Sequence, residues 1–246
     1  VKELWVWRFG RADRRLGYDD GREIRVGEKL TVEAGKAKPL ELCDWGLHGS
    51  VRAIDALGYA VGPVVERDLL SGEIVAGDDK ACASERTCLA MADAANLLHE
   101  FACWCAEGAL RAVEARGETV DARSWAAIAT KRRWLRGEAT DVELDAAWDA
   151  ARAAAWDAAR AAAWDAAWAA AWAAAWAAAW AAAWAAAWAA AWAAAWAAAW
   201  AAARDAAWDA ARAAAWAAAW DAQNAELDRR LRELLHLPPS DEEENS

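Results

Sequence analysis

Apolar and polar positions follow three successive patterns along the chain. They alternate in short runs over the first 84 residues, recur at helical spacing to about residue 136, and then fall into a four-residue register from Trp148 to Trp220. The runs Leu4-Trp5-Val6-Trp7, Glu23-Ile24-Arg25-Val26, Lys29-Leu30-Thr31-Val32, Val64-Val65-Glu66 and Glu73-Ile74-Val75 are separated by glycine-containing turns, and they predict strands and hairpins. Between them, Val51 to Leu57 predicts a short helix with Ser50 as its N-cap. The expected unit is a small α+β head over residues 1–84.

From Ser84 to Arg116, Leu89, Leu97, Leu98, Phe101, Trp104, Cys105, Leu110 and Val113 approximate a 3.6-residue stripe, and Gly117 suits the position just past a helix end. Asp121 or Ser124 should cap a second helix through Trp125, Ile128 and Leu135, closed by Lys131, Arg132, Arg133, Arg136 and Gly137. These two helices make residues 85–137 a connector.

The third pattern is a repeat. Steps of four from 148 give Trp148, Arg152, Trp156 and Arg160. They continue through Trp164, Trp168, Trp172, Trp176, Trp180, Trp184, Trp188, Trp192, Trp196 and Trp200 to Arg204, Trp208, Arg212, Trp216 and Trp220. From Ala166 to Ala203 only alanine and tryptophan occur. Trp and Arg codons can differ by one base, as can Ala and Asp codons, so the array also reads as a short DNA repeat that expanded and drifted. Alanine is the best helix former, and no Gly or Pro lies between Gly137 and Pro238. Thr140 with Glu143 forms a capping box, while Arg229, Arg230, Arg232 and His236 sit where the helix dipole favours cations. One continuous helix from Thr140 to about Leu237 is expected, about 140 Å long at 1.5 Å per residue. Leu227, Leu231, Leu234 and Leu235 give it a last apolar face, Pro238-Pro239 stops it, and the acidic residues 240–246 should be disordered. The organisation expected is therefore 1–84, 85–137, 138–237 and 238–246.

Four helical residues advance 400°, so successive tryptophans drift by roughly 40° and the stripe circles the axis in about nine repeats. A helix apolar all round must be covered by protein or lipid. The ten tryptophans from Trp164 to Trp200 are thus the expected interaction surface, and a homo-oligomer built through the Ala/Trp helix is the expected assembly. Association with a membrane is the less favoured alternative. The pure tract would be about 57 Å long against a ~30 Å hydrocarbon core, and tryptophan prefers the interface.

The formal net charge of -11 removes nucleic acid from the expected partners, since phosphate binding needs a clustered basic face. Five irregularly spaced cysteines and the lack of a basic-then-apolar leader point to reduced thiols in a cytoplasm. Cys82, Cys88, His99, Cys103 and Cys105 contain no C-x-x-C pair, and neither a metal nor a cofactor is expected.

Within the head, Val26-Gly27, Cys43, Gly46-Leu47-His48, Tyr59, Gly72-Glu73-Ile74 and Asp78-Asp79-Lys80 stand out. Over about 85 residues this set resembles a small domain of unknown function from phage and bacterial proteins. That family's pattern runs VG, C-x-x-G-[FL]-H, a short helix ending in Tyr, G-x-I and D-D-x-K. The resemblance implies that domain's fold, placed ahead of a low-complexity repeat. His48, Tyr59 and Glu73 also occur in the order of the His-Tyr-Glu triad of ADP-ribosyltransferases, and Leu47-His48-Gly49-Ser50 is similar to the motif that sets the histidine on the nicotinamide ribose. That resemblance implies His48 and Tyr59 on the ribose and Glu73 beside the developing oxocarbenium. The leading expectation is a non-enzymatic interaction protein, with this transferase reading as the alternative.

Overall fold

The computed structural model describes residues 3–17, 20–33, 38–157 and 217–239. They fall into two compact units, Val1–Ala102 with Ala219–Ser246 and Cys103–Ala218.

The first unit is built on a five-stranded antiparallel sheet of β1 (Leu4–Gly10), β2 (Lys29–Thr31), β3 (Leu47–Gly49), β4 (Val64–Ala76) and β5 (Ala81–Asp93), with α1 (Ala53–Gly58) beside β1. Strand order is β1-β4-β5-β2, and β3 pairs with β5 beyond the end of β2. Ser50, directly after β3, bridges back to Trp7 of β1 through hydrogen bonds of 2.7 and 3.0 Å. The ladder β1-β4-β5-β3 therefore closes on itself through one residue. Gly49 permits the closure, because a Cβ there would lie 2.4 Å from Val6 Cγ2.

The α+β class of the head agrees with the sequence pattern, and several expected boundaries do not. Val64–Glu66 and Glu73–Val75 are one 13-residue strand. The link between them is a β-bulge at Gly72-Glu73, where Gly72 takes φ +77 and the Glu73 N–H donates to Ser84 Oγ at 3.0 Å. Residues 84–93, expected in a helix, belong to β5, and α2 (Ala95–Ala115) starts only after Asp93 caps it. Pairing with β4 overrides local propensity here, since both faces of β5 find cover. The run 23–26 forms a single bridge to Arg15, because Ile24 alone of its residues is buried. His48 lies on β3. Ser50, expected as the N-cap, is held by its backbone in the bridge to Trp7 two residues earlier, and the α1 N-cap position is Arg52, which supplies no side-chain bond.

The missing cap comes from the far end of the chain. Asn224 Oδ1 accepts the Ile54 N–H at 3.1 Å, 170 residues away in sequence. Asn224 belongs to the helical stretch 217–235, which lies against the sheet face formed by Trp5, Trp7 and Arg67. Trp7 Nε1 donates to Asp228 at 2.9 Å, Arg232 stacks over the Trp7 ring, and Arg52 pairs with Asp221 at 2.8 Å. Leu227 and Leu231, one turn apart, are fully buried. The stretch ends with His236 at φ 55 and with bonds from His236 to Glu233 and from Leu237 to Arg232, a Schellman end without glycine.

In the second unit, the later part of α2, α3 (Ala122–Leu135) and helical residues 141–157 follow in order. Gly117 and Gly137 take positive φ in Schellman ends, Asp121 caps α3, and Thr140 and Glu143 exchange the two bonds of a capping box at 2.8 and 3.2 Å. These agree with the sequence signals. Arg132 and Arg133 of the basic cluster lie in the last turn of α3, and the cluster is also paired, Arg132 with Glu107, Arg133 with Glu143 and Arg136 with Glu138. The part of the expected long helix between 158 and 216 lies outside the described residues.

Two substitutions test the return of the chain end. Leu231→Ala should cost about 2–5 kcal/mol in urea unfolding, as expected for truncating a buried leucine. Asn224→Ala should cost about 1 kcal/mol, the usual worth of an N-cap, and raise amide exchange at Ile54.

Candidate functional site

Two groups of chemically capable side chains stand out in the first unit. The first gathers Cys43, His48, Tyr59, Asp79 and Lys80 at one end of the closed ladder. The β4–β5 turn, held by the Gly77 N–H to the Lys80 carbonyl at 2.8 Å, presents Asp79 and Lys80. The loop before β3 presents Cys43, whose backbone sits at φ 69 and whose N–H donates to His48 Nε2 at 3.1 Å. Lys80 Nζ reaches Cys43 Sγ and stands 4.2 Å from the centre of the Tyr59 ring. The Tyr59 hydroxyl donates to Asp79. Cys43 and Tyr59 are solvent-exposed, and His48 is half-buried.

The electrostatics follow these contacts. The Cys43 sulfur, then the Tyr59 hydroxyl, hold Lys80 above the ordinary lysine range. The bond to Asp79 raises Tyr59. Burial holds His48 below the usual imidazole value, so neutral imidazole accepts from Cys43. His48 and Tyr59, two of the three transferase candidates, thus border one Cys43–Lys80 pair. Glu73 is exposed at the β4 bulge, with β5 between it and β3. The ten tryptophans from Trp164 to Trp200 lie outside the described residues.

The second group is interior and was missed from the sequence. On the face opposite Trp7, the register aligns Arg8 with Glu66, Val6 with Asp68 and Cys88, and Leu4 with Leu70 and Arg86. Arg8 pairs with Glu66 at 2.6 Å, and Arg86 lies 3.2 Å from Asp68 and 4.0 Å from Glu66. Arg86 also donates to the His48 carbonyl at 3.1 Å, which ties the interior group to β3. The signal was present in Glu66-Arg67-Asp68, whose alternation sends two carboxylates to one face of a strand and an arginine to the other.

Burial dominates the titration of this group. It raises Asp68 to about 6 despite the Arg86 charge, pushes Arg86 below its usual range, and drives the Cys88 thiol up. Glu66, Asp68 and Cys88 bring donor atoms within 4.8 Å of one another, the one metal-like grouping among the described residues. The Arg86 guanidinium already supplies the cation there, so the set fits an ion pair better than a metal. Of the residues weighed for a metal from sequence, Cys82 and Cys88 lie on β5 and His99, Cys103 and Cys105 on α2. In the second unit, a groove of about 530 Å³ is lined by Trp125, Ile128 and the paired arginines 132, 133 and 136.

Comparison with known protein families, curated proteins and solved structures finds no match for this chain.

The interior group predicts a specific pH dependence. Folded Asp68 keeps its proton up to about pH 6, whereas an unfolded aspartate loses it near 3.8. Across that window the folded state binds more protons, so Asp68 favours folding at the acid end and this contribution falls as pH rises. Unfolding of the parent and of Asp68→Asn should differ by an amount that changes on the order of 3 kcal/mol across the window and is flat above it.

Proposed function

We propose that the chain is a non-enzymatic interaction protein that self-associates through its tryptophan register, with the head holding the far end of the array. Exposed tryptophan at the register positions carries this reading. Trp148 and Trp156 are 58% and 68% exposed, while the intervening helical surface is largely alanine. Each such ring leaves on the order of 150 Å² in water, worth about 3–4 kcal/mol if covered. A second copy offers the same surface, and the alanine between rings lets another helix approach closely. The pairs on the flanks support the helix itself, as where Arg152 meets Asp149 at 3.6 Å, and Asp157/Arg160 and Asp209/Arg212 have the same spacing in sequence.

A membrane partner is less well supported, because the pure tract would be about 57 Å long against a ~30 Å hydrocarbon core and tryptophan prefers the interface. The transferase alternative has less support than self-association, because His48 Nε2 and the Tyr59 hydroxyl already have partners within the protein.

Light scattering of the full chain against a Trp148→Ala/Trp156→Ala/Trp220→Ala variant tests the proposal. The parent should sediment and scatter as an oligomer, and the variant should dissociate at roughly tenfold higher concentration or more. A monomeric parent at high micromolar concentration would remove the self-association reading.

A further inference from the structure

Cys43 is the exposed cysteine of the five. Its sulfur does not stand alone, because Lys80 Nζ from the β4–β5 turn lies 2.5 Å from it. Both partners are held from behind. The Cys43 N–H is fixed to His48 Nε2 at 3.1 Å, and the Lys80 ammonium is seated on the Tyr59 ring, whose hydroxyl is anchored to Asp79 in the same turn as Lys80. Five side chains from three separate segments thus converge on one sulfur–nitrogen contact open to solvent. Neither Sγ nor Nζ is needed by the core.

The chemistry of such a pair is directional. The thiolate is the form of a cysteine that reacts with peroxides, and Lys80 stands where a proton can be exchanged with the sulfur. A sulfenic acid formed there has an amine within bonding reach, and sulfenic acids condense with nitrogen nucleophiles. We propose that Cys43 and Lys80 are a peroxide-responsive pair that closes into a covalent sulfur–nitrogen link, latching the loop before β3 to the β4–β5 turn.

The steps balance. The Cys43 thiolate attacks one oxygen of hydrogen peroxide, the O–O bond breaks, and hydroxide leaves, giving Cys–SOH. The neighbouring Lys80 ammonium gives a proton to that hydroxide, leaving the free amine beside the sulfur. The Lys80 amine then attacks the sulfenyl sulfur. The S–O bond breaks, and the second nitrogen proton leaves with the oxygen as water. The sum is one thiol, one amine and one peroxide giving one S–N bond and two waters. Two equivalents of an added thiol reverse it, restoring Cys43 and Lys80 and leaving a disulfide of the reductant. The latch bears on the head alone and is independent of how the tryptophan register associates.

Intact-mass and tryptic peptide analysis of the full chain, treated with hydrogen peroxide at near-stoichiometric ratio, tests the link. The expected product has lost two hydrogens, resists tryptic cleavage at Lys80, joins the Cys43 and Lys80 peptides, and reverts with dithiothreitol. The oxidised chain should also unfold at a higher denaturant midpoint, reversibly. Lys80→Arg, which keeps the charge beside the sulfur, and Cys43→Ser should both lose the joined peptide with unchanged circular dichroism. Oxidation of Cys43 to sulfinic or sulfonic acid with free Lys80 overturns the proposal. So does a linkage that retains an oxygen between sulfur and nitrogen, and so does the joined product persisting in Lys80→Arg.

Discussion

The pairing of β4 with β5 is the constraint on which the head depends. Each strand is 13 residues long, and their hairpin carries a different chemistry on every side. One face holds Arg8 with the buried Glu66, Asp68 and Arg86, the other holds Arg67 against Trp5 and Trp7, and the turn presents Asp79 and Lys80. Two bulges, after Arg67 and after Ser71, bend the ladder enough for β3 and Ser50 to reach β1. Without that curvature the ring could not close, and Cys43 would not meet Lys80.

Burying Glu66, Asp68 and Arg86 inside a small sheet is costly, and the cost explains the arrangement. Two guanidinium groups face two carboxylates, so the group is neutral as a whole. Several of its atoms nevertheless lack hydrogen bonds, among them Glu66 Oε2 and both Asp68 oxygens. Such a group holds register more than it adds stability. A one-residue slip of β4 would carry Glu66 and Asp68 to the Trp7 face and strand both guanidinium groups.

The returning stretch 217–235 resolves a second difficulty. The face bearing Trp5, Trp7 and Phe9 is too apolar to be left in water, and the buried leucines 227 and 231 travel on the stretch that covers it. Polar bonds fix the docking position, since Asp228 takes the Trp7 indole and Asn224 takes the Ile54 amide. The chain end therefore belongs with the head in packing although it belongs with the repeat in sequence.

Local signals were legible wherever their cause was local. The capping box at Thr140 and Glu143, the cap at Asp121, the helix ends at Gly117 and Gly137 and the strand at Leu4 all follow from a few adjacent residues. His48 and Tyr59 were singled out by motif, yet the Lys80 and Cys43 contact that joins their surroundings was not. What only the tertiary structure decided has a common reason. The strand identity of residues 84–93, the cap of α1 and the sulfur–nitrogen contact each rest on partners 11 to 170 residues away. Propensity and periodicity report the preferences of a short window. They carry no information about which distant backbone will supply a hydrogen bond, or which loop will bring an amine to a thiol.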